Sequence, residues 1–179
     1  EDGIMGTRCV AHTLQLAVWD AFRSPQIVTL IEKIRTVCRA FRSPIASEYL
    51  RFLNLTKPSL DNETRWHLTE DMILSLLCFK DVCHKAMKHC KKKIHLSNAE
   101  WEAATKISDA LLAAKITTKQ LQSEQLTVGD FLATWLRCKL DTASKTSNLT
   151  QDIAAAMEKR EKRLLDSDAI VAAIYMDPR

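Results

Sequence analysis

Residues 68–90 read LTEDMILSLLCFKDVCHKAMKHC, and within them Met72, Leu76, Phe79, Cys83, Ala86 and Cys90 recur in alternating steps of four and three. That spacing returns to one face of an α-helix and to neither face of a strand. The stretch therefore predicts one long helix, closed by Lys91-Lys92-Lys93, whose positive charge suits a helix C-terminus. The glycines agree with a helical reading. Only Gly3, Gly6 and Gly129 are present, and none lies between residues 7 and 128. Tight hairpin turns commonly need glycine, so the composition favours helices over a meander of short strands. The expected fold class is all-α, an irregular bundle of seven or eight helices.

Outward from that stretch, similar patterns recur on both sides. Toward the N-terminus, Glu1 to Arg8 reads as a loop, and a helix nearly apolar all round begins at Cys9. Ser24-Pro25 offers a cap and a first-turn proline for a second helix striped by Ile27, Leu30, Ile31, Ile34, Cys38 and Phe41. Arg35, Arg39 and Arg42 follow one another along its flank as a basic ridge. Ser43-Pro44 opens a short third helix, and Asn54 to Glu63 is the clearest loop. Toward the C-terminus, Ser97 to Glu100 is a capping box for a helix expected to break near Thr117-Thr118. Thr127 with Asp130 caps another. Thr150 and Ser167 open the last two, the first carrying the charged run Glu158 to Arg163 on its outer face.

A chain of 179 residues with 46% hydrophobic content supports one domain (1–179) with a real core, or two small helical lobes. No stretch approaches a membrane span and no apolar leader opens the chain, which predicts a soluble, intracellular protein with no membrane partner. Six cysteines sit inside helical patterns and are expected as free thiols. The net charge of +4 is uneven: residues 1–95 carry 15 Lys/Arg against 10 Asp/Glu, residues 96–179 carry 11 against 12. The basic half is the candidate polyanion surface, through the Arg35–Arg39–Arg42 ridge and the Lys88 to Lys93 run.

Two clusters invite a metal reading and fail it. Cys83 and Cys90 lie two helical turns apart, about 10 Å by helical rise, too far to share one tetrahedral ion. Cys9 and His12 face nearly one direction, but no further ligands have suitable spacing; a buried thiol beside a hydrogen-bonded imidazole is the expectation. No metal ligand is assigned. Nothing in the chain supports nucleophilic catalysis, since there is no nucleophile elbow, phosphate-cradling loop or singled-out carboxylate pair.

Three stretches, taken in order, resemble the hAT transposase superfamily. Arg8-Cys9-Val10-Ala11-His12-Thr13-Leu14-Gln15-Leu16-Ala17-Val18 is similar to the family's Cys-x-x-His segment and the Thr-Leu-Asn/Gln-Leu after it. Glu63-Thr64-Arg65-Trp66 precedes the long helix, as in the family, and Ile174-Tyr175-Met176-Asp177-Pro178-Arg179 resembles its Leu-Asp-Pro-Arg signature. Leu96-Ser97 with Glu100-Trp101 is also family-like. Gln15 and Met176 are mild departures.

The resemblance implies the helical insertion domain of an RNase H-like transposase, or of a domesticated descendant of the BED-zinc-finger type. It implies that two catalytic acids precede residue 1 and the third follows residue 179, so that this chain carries no catalytic residue and no cofactor, while an intact parent would use Mg or Mn. It also implies DNA (transposon ends) as partner, a nuclear location, and oligomerisation through regions outside the chain. Expected DNA contacts are His12 near the scissile phosphate, Arg65 on a phosphate, and Trp66 as a stacking platform for a displaced base when a hairpin forms. By position alone, Trp66 is instead a core residue at a helix entrance. A transcription-related DNA-binding descendant and a purely structural assembly module are the alternative functions.

Overall fold

The computed structural model describes residues 9–62, 65–123 and 127–177, apart from the side chains of residues 128 and 169. Among them are nine helices and no strand: α1 (Val10–Ala21), α2 (Pro25–Ala40), α3 (Pro44–Phe52), α4 (Trp66–Leu77), α5 (Lys80–His89), α6 (Asn98–Leu121), α7 (Val128–Ala143), α8 (Asn148–Leu165) and α9 (Asp168–Tyr175). None of these helices is long and apolar enough to cross a membrane. The segments read as Glu1 to Arg8, Glu63-Thr64 and Pro178-Arg179 lie outside the described residues.

The chain divides into two compact units, Arg23–Asp109 and the pair of segments Glu1–Phe22 and Ala110–Arg179. In the discontinuous unit, α8 packs against α1 and α7, and α9 against α7 and α8. Leu14, Ala17, Val18, Trp135, Ile153 and Met157 have no exposed surface there. Polar pairs hold the same helices. Arg160 on α8 donates through Nε to Asp20 on α1 at 3.0 Å, and the Trp135 indole N–H donates to Glu161 at 3.0 Å. Lys139 bridges Glu158 and Glu161. The Glu158 to Arg163 run is therefore not a purely outer face, because Arg160 and Glu161 turn inward to partners on α1 and α7.

In the unit Arg23–Asp109, α2 packs on α4 and α3 on α5. Helix starts follow the local chemistry. Ser43 Oγ accepts from the Ala46 N–H ahead of Pro44, and Ser97 and Glu100 close a reciprocal capping box. Ser24 occupies the cap position of α2 without a side-chain bond, so Pro25 alone marks that start. In the other unit the Thr127–Asp130 box is formed, while α8 begins at Asn148, capped by Ser147, with Thr150 as the box partner.

Two expected helix courses differ. The single helix over Leu68 to Cys90 is two, α4 and α5, broken at Cys78-Phe79. The apolar stripe runs through the break: Met72, Leu76, Phe79, Cys83, Ala86 and Cys90 are all buried. Phe79 N–H bonds back to Leu76 O at 2.8 Å in a tight turn, and its ring lies 5.5 Å from that of Phe41. Conversely, α6 does not break at Thr117-Thr118 but continues to Leu121 with both threonines buried.

Candidate nucleic-acid interface

The second helix presents its three arginines differently, although they follow one ridge. Arg39 and Arg42 are exposed, Arg42 reaching the Pro58 carbonyl at 2.7 Å. Arg35 is buried and bidentate to Asp61, with Nε at 2.9 Å and Nη2 at 2.7 Å. The Thr69 hydroxyl donates to the same carboxylate at 3.1 Å, so Asp61 ties α2 to α4 through the connecting loop. Burial alone would raise the Asp61 pKa. The hydrogen bonds and charge of Arg35, with the Thr69 bond, outweigh it and hold the carboxyl below its ordinary value. Arg35 is thus committed to a buried pair with Asp61, and the DNA contact expected of it is not available at this surface.

Trp66 opens α4 and has no exposed surface, ranking among the largest fully buried side chains. Its ring meets His67 edge-on at 6.2 Å. No free face is offered to a base, so the placement matches the core reading rather than the stacking platform; an apolar ring of that size finds more contact inside than at a helix entrance. Arg65 immediately before it is exposed. His12 and Cys9 belong to the other unit, and both are exposed, in place of the expected buried thiol and hydrogen-bonded imidazole.

All six cysteines are free, and Cys38, Cys83, Cys90 and Cys138 are buried. Desolvation pushes the Cys38 thiol up to about 12 and Cys83 to about 11, which keeps both protonated and poor as ligands. Among the described residues no three His, Cys, Asp or Glu side chains converge where a metal ion could be held.

Asp177, the described part of the Asp-Pro-Arg segment, accepts a hydrogen bond from Thr127 Oγ1 at 3.2 Å, at the N-cap of α7. Its carboxylate sits so close to Gly129 that an added Cβ would stand 2.2 Å from Oδ2. A negative charge there suits the positive end of the helix dipole.

Charge separates the two units. In residues 23–109, thirteen of fifteen lysines and arginines are exposed, against five exposed carboxylates among the described residues (Glu32, Glu48, Asp81, Glu102 and Asp109). Sequence reasoning found the excess but not the pairing of Arg35, whose partner is 26 residues away. It also passed over Phe52, a large aromatic left 82% exposed at the end of α3; its position opposite the buried Leu50 carried that signal.

A family model described as the ZBED1 RNase-like helical domain matches residues 7–110. No curated protein and no solved structure gave a match.

Proposed function

Since the chain belongs to the ZBED1 RNase-like helical domain family, which derives from hAT transposases, we propose that it grips the phosphate backbone of DNA through the unit Arg23–Asp109. The observation that carries this reading is the excess of thirteen exposed cations over five exposed carboxylates in that unit. Backbone binding needs cations at roughly phosphate spacing and no unique geometry. Exposed Arg39, Arg42 and Arg65 are the contacts of choice. In a transposase this grip would hold the transposon end during cut-and-paste transposition; in a domesticated descendant it would hold DNA in the nucleus for a transcription-related role. The acids and Mg or Mn of a parent enzyme would come from outside residues 1–179. With Trp66 buried, hairpin stabilisation through that ring would require the first turn of α4 to open.

A second reading, packing within a larger assembly, draws support from α9, where Tyr175 is 92% and Met176 77% exposed. Duplex binding measured by fluorescence anisotropy at several salt concentrations separates the two. Affinity for the parent protein should fall steeply with salt. Arg39→Gln and Arg65→Gln should each weaken all sequences alike and reduce the log–log salt slope by about 0.9. A salt-insensitive or absent interaction refutes the backbone grip and leaves the assembly role.

A further inference from the structure

The packed pair α3–α5 carries an aromatic surface set in positive charge. Tyr49 of α3 and His89 of α5 stack with ring centroids 4.8 Å apart and planes inclined by 26°. Phe52 lies one turn beyond Tyr49 on α3 and is 82% exposed, with half-exposed Ile45 one turn before. The surrounding chain is basic. Residues 44–57 and 80–95 hold eight lysines and arginines against two carboxylates, Glu48 and Asp81. Lys85 and Lys88 are exposed within a turn of His89.

Both helices also end alike. Asn54 after α3 and Lys91 after α5 are the two described non-glycine residues with positive φ, at 54° and 53°. In each case the following N–H bonds five residues back, Leu55 to Leu50 O and Lys92 to Met87 O, both at 2.9 Å. Asparagine tolerates that conformation. Lysine does so at a cost, and glycine would be the natural occupant. A strained residue retained at such a turn points to a use for its side chain. Here Lys91 turns the chain and keeps an unbroken run of cations beside His89.

We propose that this α3–α5 surface is a binding site for single-stranded nucleic acid: an unpaired base stacks on Phe52 beside the Tyr49–His89 pair, and flanking phosphates lie on Lys85, Lys88 and the Lys91–Lys93 run. A solvent-facing ring accepts an unstacked base and cannot reach one inside a duplex. An apolar protein partner would not select the eight-to-two charge balance of these two segments. The site rests on the DNA-contact reading above but adds strand selectivity, which a backbone grip alone does not have.

The test is anisotropy titration of the full chain with a fluorescein-labelled thymidine oligonucleotide and with a duplex of equal length. The parent should prefer the single strand. Phe52→Ala, at an exposed position where no cavity is left, should lose about 5- to 150-fold on the single strand and little on the duplex. Lys85→Gln with Lys88→Gln should weaken single-strand binding and reduce its salt slope by about 1.4. Circular dichroism verifies that the variants remain folded. Tight duplex binding without single-strand preference, or an unaltered Phe52→Ala, overturns the site while the backbone grip stands. Binding to neither nucleic acid overturns both.

Discussion

Replacing Trp66 with alanine removes one of the largest fully buried side chains of the unit Arg23–Asp109. An indole of this kind buries roughly 150–250 Å², which at about 25 cal/mol per Å² corresponds to about 4–6 kcal/mol. Measured large-to-small substitutions of Trp cost about 3–5 kcal/mol once partial collapse of the cavity is included. In a unit of fewer than 100 residues each kcal/mol lowers the melting temperature by roughly 4–8 °C, so Trp66→Ala should lose at least about 12 °C. Trp66→Phe should lose less, because most of the ring contact survives. Thermal unfolding followed by circular dichroism, with tryptophan fluorescence as a second probe, measures the loss. DNA affinity of the variant under conditions where it is fully folded should stay within about twofold of the parent. An unaltered melting temperature combined with lost DNA binding would refute the core assignment and restore Trp66 as a stacking platform.

Two further outcomes follow from the same unit. Asp61→Asn leaves the buried Arg35 guanidinium short of its partner and should cost about 3 kcal/mol, the low end for a broken buried pair, since Glu32 at 3.6 Å compensates in part. Because the Asp61 pKa is held below its ordinary value of 3.8, its contribution is complete above that pH and is lost as pH falls through the folded-state value. Stability curves of parent and variant should therefore converge below about pH 4, and parallel curves would exclude the pair as their cause. Lys91→Gly relieves a left-handed lysine at φ 53°. The relief, less the entropy of an added glycine, should raise stability by about 0.5–1 kcal/mol. A lower urea midpoint would show that Lys91 is not strained.

Much of the fold was legible because it is written locally. Caps at Ser43, Ser97 and Thr127 act within four residues, and the stripes on α2 and α4–α5 mark buried faces through periodicity alone. The break at Cys78-Phe79 was hidden for the same reason, since burial on one side continues across it unbroken and no glycine or proline marks it. The candidate site was less legible. Arg35 looks like Arg39 in sequence, and only Asp61, brought in by the loop, distinguishes the buried arginine from the exposed one. Likewise Arg160 finds Asp20 at a separation of 140 residues, which no window along the chain can register. Phe52 was missed because an aromatic near a helical stripe reads as core, although its place on α3 opposite the buried Leu50 sets it apart.

The partnership of α1 with α8 has a consequence for how the protein is made. Leu14, Ala17 and Val18 are sealed from water, yet α8, the helix packed against α1, begins only at Asn148. A ribosome adding roughly 5–20 residues per second leaves α1 without that partner for on the order of ten seconds. During that time the unit Arg23–Asp109 can complete itself from contiguous chain, whereas α1 waits as an apolar helix. Nascent chains stalled before residue 148 should therefore be the aggregation-prone species, and the ones a chaperone would hold.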